Sequence, residues 1–254
     1  MGKIEEIRKF WDEFVYDDVL ATDKPPGSQA FFADLKRYRY QRLDYLPKII
    51  DFPSYRGKRV LDVGCRIGLD LARFAENGAI VTGIDLSDSC IETARQYFSL
   101  NELEGDFHVM DGENMAFEDQ SFDLVYSHGV VQYTASPPKM ICEMRRVLKD
   151  DGEVILMAYN RYSWLSLLSW FSGKGLAHEE APFFEPYSVA DFRKLINGSF
   201  SDIDIFFERF PSRTGLHEGI IAKIYYIVFV GTFNLLPYSW IRKYGAHLIA
   251  RARK

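Results

Sequence analysis

The stretch 60-VLDVGCRIGLD-70 opens with apolar residues, turns through Gly64 and Gly68, and leads into a run with helical spacing. A near-continuous apolar run closed by a glycine turn is expected of a strand buried on both faces of a parallel sheet. Glycine lets the backbone take dihedral angles closed to other residues and approach a ligand closely. Asp85 ends the next apolar run, 79-AIVTGID-85, 21 residues beyond Gly64. A short carboxylate held at a strand end is suited to accept hydrogen bonds from the two hydroxyls of a ribose. Strand, glycine loop, helix, strand and terminal acid in that order point to an adenosine-type ligand. The dinucleotide fingerprint is not met, because 64-GCRIG-68 has one glycine too few, and no Gly-Lys-Ser/Thr run is present to hold a triphosphate.

The alternation continues outward from this turn. Strands are expected at 59–64, 79–85, 106–111, 122–128 and 153–159, and a helix at 69–77. The next helix carries Cys90, Ile91, Ala94, Tyr97 and Phe98 on one face. Ser136-Pro137 opens another, whose apolar side is Met140, Ile141, Met144, Val147 and Leu148. Such a pattern predicts an α/β fold with a mostly parallel sheet covered on both faces. Ahead of it, Ile4, Ile7, Trp11 and Phe14 mark an amphipathic helix over 4–14, 23-DKPPGS-28 breaks it, and a second helix runs from Gln29 to Leu46, ending at Pro47. After it come an insertion at 160–187, a helix over 188–196 started reciprocally by Ser188 and Asp191, a strand at 202–210, a second insertion at 211–243 and a closing strand at 246–252.

Composition narrows the partners. The 254 residues carry 31 basic and 36 acidic side chains, a formal charge of -5, so the surface offers nucleic acid no general attraction. The basic and aromatic cluster 36-KRYRYQR-42 reads first as a helix edge or substrate-side cap. Three cysteines are too few for a disulfide framework; Cys90 and Cys142 are expected to be buried thiols, and a reducing, cytoplasmic setting fits. The opening MGKIEEIRKFWDEF lacks the apolar stretch of a signal peptide, and Glu6 stands where a myristoylation signal wants Ser or Thr. His178 with Glu179 and Glu180, and His217 with Glu218, lack the spacing of a metal site, so none is expected. Residues 224–241 run for 18 positions without a charge, interrupted by Asn234, Pro237 and Ser239. They read as a cap helix buried against the domain or a twin, with weak contact to a lipid surface as the second reading. Together with 164-WLSLLSW-170 they hint at a lipophilic substrate channel, in a monomer or a homodimer.

Region 57–160 resembles the class I S-adenosylmethionine-dependent methyltransferases, especially the small-molecule branch that includes quinone-pathway enzymes. The resemblance is carried by VLDVGCRIG, by VTGIDLS, by Asp111-Gly112-Glu113 with Phe117 ahead of SFDLVYSHGVVQY, and by EMRRVLKDDGEVIL. It implies a Rossmann-like, seven-stranded, mostly parallel sheet whose last strand is antiparallel. It also implies a helical N-terminal lid over 1–56 and a methyltransferase domain over 57–254 carrying both insertions. S-adenosylmethionine is the implied cofactor. Asp62, Gly64, Cys65, Arg66 and Gly68 would surround its amino-acid part, and Asp85 its ribose. Leu86 would lie beside the adenine, Asp111 at the adenine amino group, and the backbone of Gly112 and Glu113 along the ring. Ser127 would border the methyl group, followed by His128 and Gly129.

Arg66 departs from the family, which usually has glycine there. Its side chain can leave toward solvent or toward the ligand carboxylate, can store strain if φ is positive, or can block the pocket. His128, with an unperturbed pKa of about 6.5, is the first candidate base; lining the pocket is the blander alternative. Tyr133 is the second catalytic candidate and also a substrate contact. Tyr16, Phe31, Tyr38, Tyr40 and Trp164 complete the expected acceptor-binding set, although packing of a helical cap explains them equally well. The expected function is methylation of a small lipophilic or aromatic molecule. A non-catalytic nucleoside-binding protein with a degenerate glycine loop is the rival, and a nicotinamide oxidoreductase a weaker one.

Overall fold

The computed structural model describes residues 2–15, 23–172, 179–211 and 225–254. Seven strands form one sheet in the order β3-β2-β1-β4-β5-β7-β6. β1 (Arg59–Val63), β2 (Ile80–Asp85), β3 (Asp106–Val109), β4 (Phe122–His128) and β5 (Leu148–Tyr159) pair in parallel, as Leu61 with Thr82 and Val125 shows. β7 (His247–Arg253) runs antiparallel to both β5 and β6 (Ser201–Glu208). This is a Rossmann-like class I fold, with helices ahead of β1 and insertions late in the chain, the first of them carrying α7 (Trp164–Ser172).

Alternation along each strand divides the core in two. Val60 and Tyr126 point to one face, where they pack with Phe31 and Phe32 of α2 (Gln29–Arg42), Leu71 and Phe74 of α4 (Leu69–Glu76), and Ile91 and Tyr97 of α5 (Asp88–Leu100). Leu61 and Val125 point to the other, against Met140 and Met144 of α6 (Pro137–Val147) and Phe192 and Ile196 of α8 (Val189–Asn197). Helix starts follow their side-chain chemistry: Ser28, Ser87 and Ser188 each accept the backbone N–H three residues on, which would otherwise lack a partner.

Several expectations need correction. The helix expected over 29–46 stops at Arg42, and a separate turn, α3 (Leu46–Ile49), takes Pro47 into its opening, where a missing N–H costs nothing. Cys142 is exposed, one position past the buried Ile141, on the outer face of α6. Nor is 224–241 a single helix: its described part has a π turn (Tyr225–Val230), α9 (Gly231–Leu235) and α10 (Tyr238–Ile241). Val230 is buried, whereas Ile227, Leu235 and Trp240 are exposed. No described helix is long and apolar enough to cross a membrane.

Candidate active site

A cleft opens at the carboxyl ends of β1, β2 and β4, where the chain leaves β1 on either side and ligands of open α/β sheets bind. It encloses about 200 Å³, more than ten times what one water needs. At Gly64 φ is +76°, and a Cβ there would stand 2.3 Å from Val130 Cγ2, so glycine holds the cleft floor open. The N–H groups of Gly64 and Cys65 both donate to the Ile84 carbonyl, tying the loop to β2. Asp85, half-buried at the tip of β2, accepts from the backbone N–H of Arg66 at 2.9 Å and of Ser87 at 3.0 Å. Burial raises its pKa, opposed by those two hydrogen bonds. Asp62 faces the same space, 3% exposed, and accepts no hydrogen bond from a described side chain or backbone group; burial and the nearby Asp70 push its pKa well up. Leu86, Asp111 and Gly112 complete this end.

Arg66 takes the left-handed backbone conformation, with φ at 51°. Its side chain goes neither to solvent nor across the cleft floor. Nη2 donates to the Phe14 carbonyl at 2.8 Å, and the guanidinium lies 5.7 Å from the centre of the Trp11 ring. The arginine therefore joins the glycine loop to the end of α1 (Lys3–Glu13). From Trp11 an aromatic wall continues through Tyr133 and Tyr159 to His247, with successive ring centres 5.2, 6.3 and 5.4 Å apart.

The far end of the cleft is polar in a way the sequence did not disclose. Buried Tyr45 places its hydroxyl 2.9 Å from His128 Nε2 and 2.6 Å from His247 Nδ1, and Arg209 Nη1 lies 3.0 Å from His247 Nε2. A guanidinium has no acceptor, so Arg209 must donate. His247 then carries its proton on Nδ1 and donates to Tyr45, whose hydroxyl donates to His128 Nε2. The direction of the whole chain follows from one arginine. Removal from water and the charge of Arg39 lower the His128 pKa to about 3, with Asp70 opposing. His247 is pushed well below its usual range by burial and by Arg209. Beside them, Arg39 donates to both carboxylate oxygens of buried Asp70, which also accepts from Tyr126 at 2.7 Å. Burial alone would raise the Asp70 pKa, but Arg39 holds it at about 2.

The remaining expected residues scatter. Tyr38 and Tyr133 line the cleft. Phe31 belongs to the core beneath α2, Tyr40 turns to the Leu69 carbonyl and Asp70, and Trp164 gives its indole N–H to the Arg209 carbonyl. Gly68, with φ +74°, serves the turn into α4 and packs on Phe98 instead of meeting the cleft. Ser127 is buried with its hydroxyl on the Val63 carbonyl, because alternation along β4 turns Tyr126 and His128 toward the cleft and Ser127 away. Glu113 uses its carboxylate on Thr134 and on the Ser136 N–H. His128, the first candidate base, lines the cleft with Nε2 2.9 Å from the Tyr45 hydroxyl, and burial and Arg39 hold its pKa at about 3. Tyr16, His178 and His217 lie outside the described residues. In the basic cluster, Lys36 pairs with Glu76, Arg37 with Asp34 and Arg39 with Asp70.

Comparison with known proteins places this geometry. The family described as a methyltransferase domain matches residues 61–156. A ubiquinone biosynthesis O-methyltransferase of Dechloromonas aromatica is 30% identical over 164 residues, which cover 61% of this chain and 69% of that one. This chain belongs to the class I S-adenosylmethionine-dependent methyltransferases. The enzyme of the same description from Coxiella burnetii (strain RSA 493) is 32% identical over 159 residues, 62% of each chain, so this chain matches under two thirds of that relative's length. Two solved structures share the fold: magnesium protoporphyrin IX methyltransferase from Synechocystis (TM-score 0.62, 14% identity, 100% of this chain and 98% of that one) and the [4+2]-cyclase SpnF (TM-score 0.61, 20% identity, 100% and 97%).

The residues of this chain fit the family's cofactor. Gly64 leaves room at the floor, Asp85 presents a rigid carboxylate, and the unengaged Asp62 carboxylate suits a ligand with a cationic amino group.

Proposed function

We propose that the protein transfers the methyl group of S-adenosylmethionine to a small, lipophilic or aromatic acceptor. The observation that carries this reading is Asp85, fixed at the tip of β2 by two backbone N–H groups and facing the cleft beside Gly64. Asp85 would hold the ribose, Asp62, Gly64, Cys65 and Arg66 the amino-acid part, and Leu86, Asp111 and Gly112 the adenine. When bound, the cofactor supplies an electrophilic methyl carbon on a sulfonium, so the protein's work is alignment and exclusion of water.

Residues 1–56 form the lid in this reading, and the wall from Trp11 to His247 closes the acceptor end. Tyr133 and Tyr159 share a hydrogen bond, and burial keeps the Tyr133 phenol protonated, so Tyr133 orients the acceptor as a hydroxyl. His128 accepts a hydrogen bond from the Tyr45 hydroxyl on Nε2 and positions the deep wall. The exposed Trp170, Leu235 and Trp240 support a lipophilic acceptor met at a lipid surface, since tryptophan favours such interfaces.

Calorimetric titration with S-adenosylmethionine and with its demethylated product tests the reading. Binding should weaken by about a hundredfold in Asp85→Ala, in line with the loss of hydrogen bonds to a charged group. Equal affinity in the variant, or tighter binding of a nicotinamide cofactor, refutes it.

A further inference from the structure

Resting on the methyltransferase reading for what the cleft is for, we infer that the acceptor carries a carboxylate, which seats against Arg209 at the deep end. Three guanidinium groups line that end, those of Arg39, Arg42 and Arg209. Arg39 has its counter-charge in the protein, because Asp70 accepts from it with both oxygens. Arg42 donates to the Tyr38 hydroxyl at 3.2 Å. Arg209 donates to a neutral imidazole, and among the described residues no carboxylate forms an ion pair with it.

The surroundings of Arg209 do not supply the missing charge. The groups that bear on it most are Arg42 and the phenols of Tyr159, Tyr45 and Tyr38. Its neighbour in sequence, Glu208, answers instead to Lys48 and Asp44. His247 likewise feels Arg209, His128, Arg42 and Arg39, all cationic or potentially so. A half-buried guanidinium without a counter-ion is costly, and a protein keeps it where a ligand completes the pair.

The backbone points the same way. Arg209 holds φ at 58°, a conformation that side-chain-bearing residues rarely adopt, just past the end of β6. Its carbonyl is gripped from two sides, by the Trp164 indole at 2.7 Å and by the Ala246 N–H at 3.2 Å. Strain of this kind persists where surrounding structure imposes it, and it clusters at ligand sites. One face of the guanidinium fork is engaged by His247; the rest remains for a planar carboxylate, the partner that matches a fork best.

Benzoate and benzamide, equal in shape and differing in charge, test this by calorimetry on full-length protein saturated with S-adenosylhomocysteine. Benzoate should bind about tenfold more tightly than benzamide, and Arg209→Gln should abolish the difference while Arg209→Lys keeps part of it. Retained S-adenosylhomocysteine binding certifies that each variant is folded. If Arg209→Gln does not fold, the His247 imidazole signals of the wild type decide: they should shift with benzoate and stay put with benzamide. Equal binding of acid and amide, no binding of the acid, or a difference that survives in Arg209→Gln overturns the carboxylate site. Failure of S-adenosylhomocysteine to bind while benzoate still seats on Arg209 sinks the methyltransferase reading and leaves the anion site standing.

Discussion

Arg66 occupies a position where the family has glycine, at a φ of 51° that costs an L-residue about 1 kcal/mol. Two contacts offset that cost, the hydrogen bond to Phe14 and the approach to the Trp11 ring, the latter worth about 0.5–1 kcal/mol. Arg66→Gly should therefore change global stability by less than about 1 kcal/mol. Because the backbone N–H to Asp85 survives, cofactor affinity should stay within about threefold. What should change is α1: amide exchange over residues 3–14 is expected to accelerate, and unaltered exchange would deny Arg66 its role as a latch. A second expectation concerns His128. Its folded pKa, about 3, lies below the unfolded value of about 6.5, so the unfolded chain binds the extra proton between those limits. Its contribution to stability is complete above pH 6.5 and is lost as pH falls toward 3, at up to about 1.4 kcal/mol per unit. Urea midpoints measured across that window should fall less steeply in His128→Asn.

At the scale of elements, α2 meets α4 through charge, not only through grease. Arg39 reaches Asp70 at the start of α4, and Tyr126 joins them from β4. Asp70→Asn leaves the guanidinium without its counter-charge and should destabilise the fold by about 3 kcal/mol, measured by chemical denaturation. A double change, Asp70→Leu with Arg39→Met, should recover most of that loss, since a well-packed apolar pair replaces a buried ion pair at little net cost. If the double variant is no better than the single one, the pair contributes through something other than charge. The break between α2 and α3 belongs to the same picture. It frees Leu43 and Tyr45 from the helix, and Tyr45 then spans 202 residues of sequence to meet His247.

Taken as a whole molecule, the cleft is lined by charges of both signs. Asp62, Asp85 and Asp111 line it with Arg66 near the glycine loop, and Arg42 and Arg209 line it beside the Arg39–Asp70 ion pair, so Arg209 is the cation whose charge no carboxylate among the described residues answers. Elements from both ends of the chain line this space, so a ligand bridging them should stabilise the entire fold. At a hundredfold excess over its dissociation constant, S-adenosylhomocysteine should add about 2.7 kcal/mol, read as a rise in the thermal midpoint. No rise in wild type, or an equal rise in Asp85→Ala, would contradict this.

The glycine-loop end of the cleft was legible in the sequence because its signals are local. A strand, a glycine turn and an acid at the next strand tip lie within 26 consecutive residues, Val60 to Asp85, and each type of residue is demanded by the backbone geometry it adopts. Sequence also foretold the strand alternation, since burial on two faces leaves near-continuous apolar runs. The end of the cleft beside β7 was decided by tertiary structure alone. Tyr45, Arg209 and His247 carry no motif, and each by itself reads as ordinary packing or surface charge. They become a directed hydrogen-bond chain when β7 pairs between β5 and β6 and brings His247 under Tyr45. Local sequence specifies dihedral angles and periodicity; which distant side chains share one low-dielectric space depends on how the elements pack.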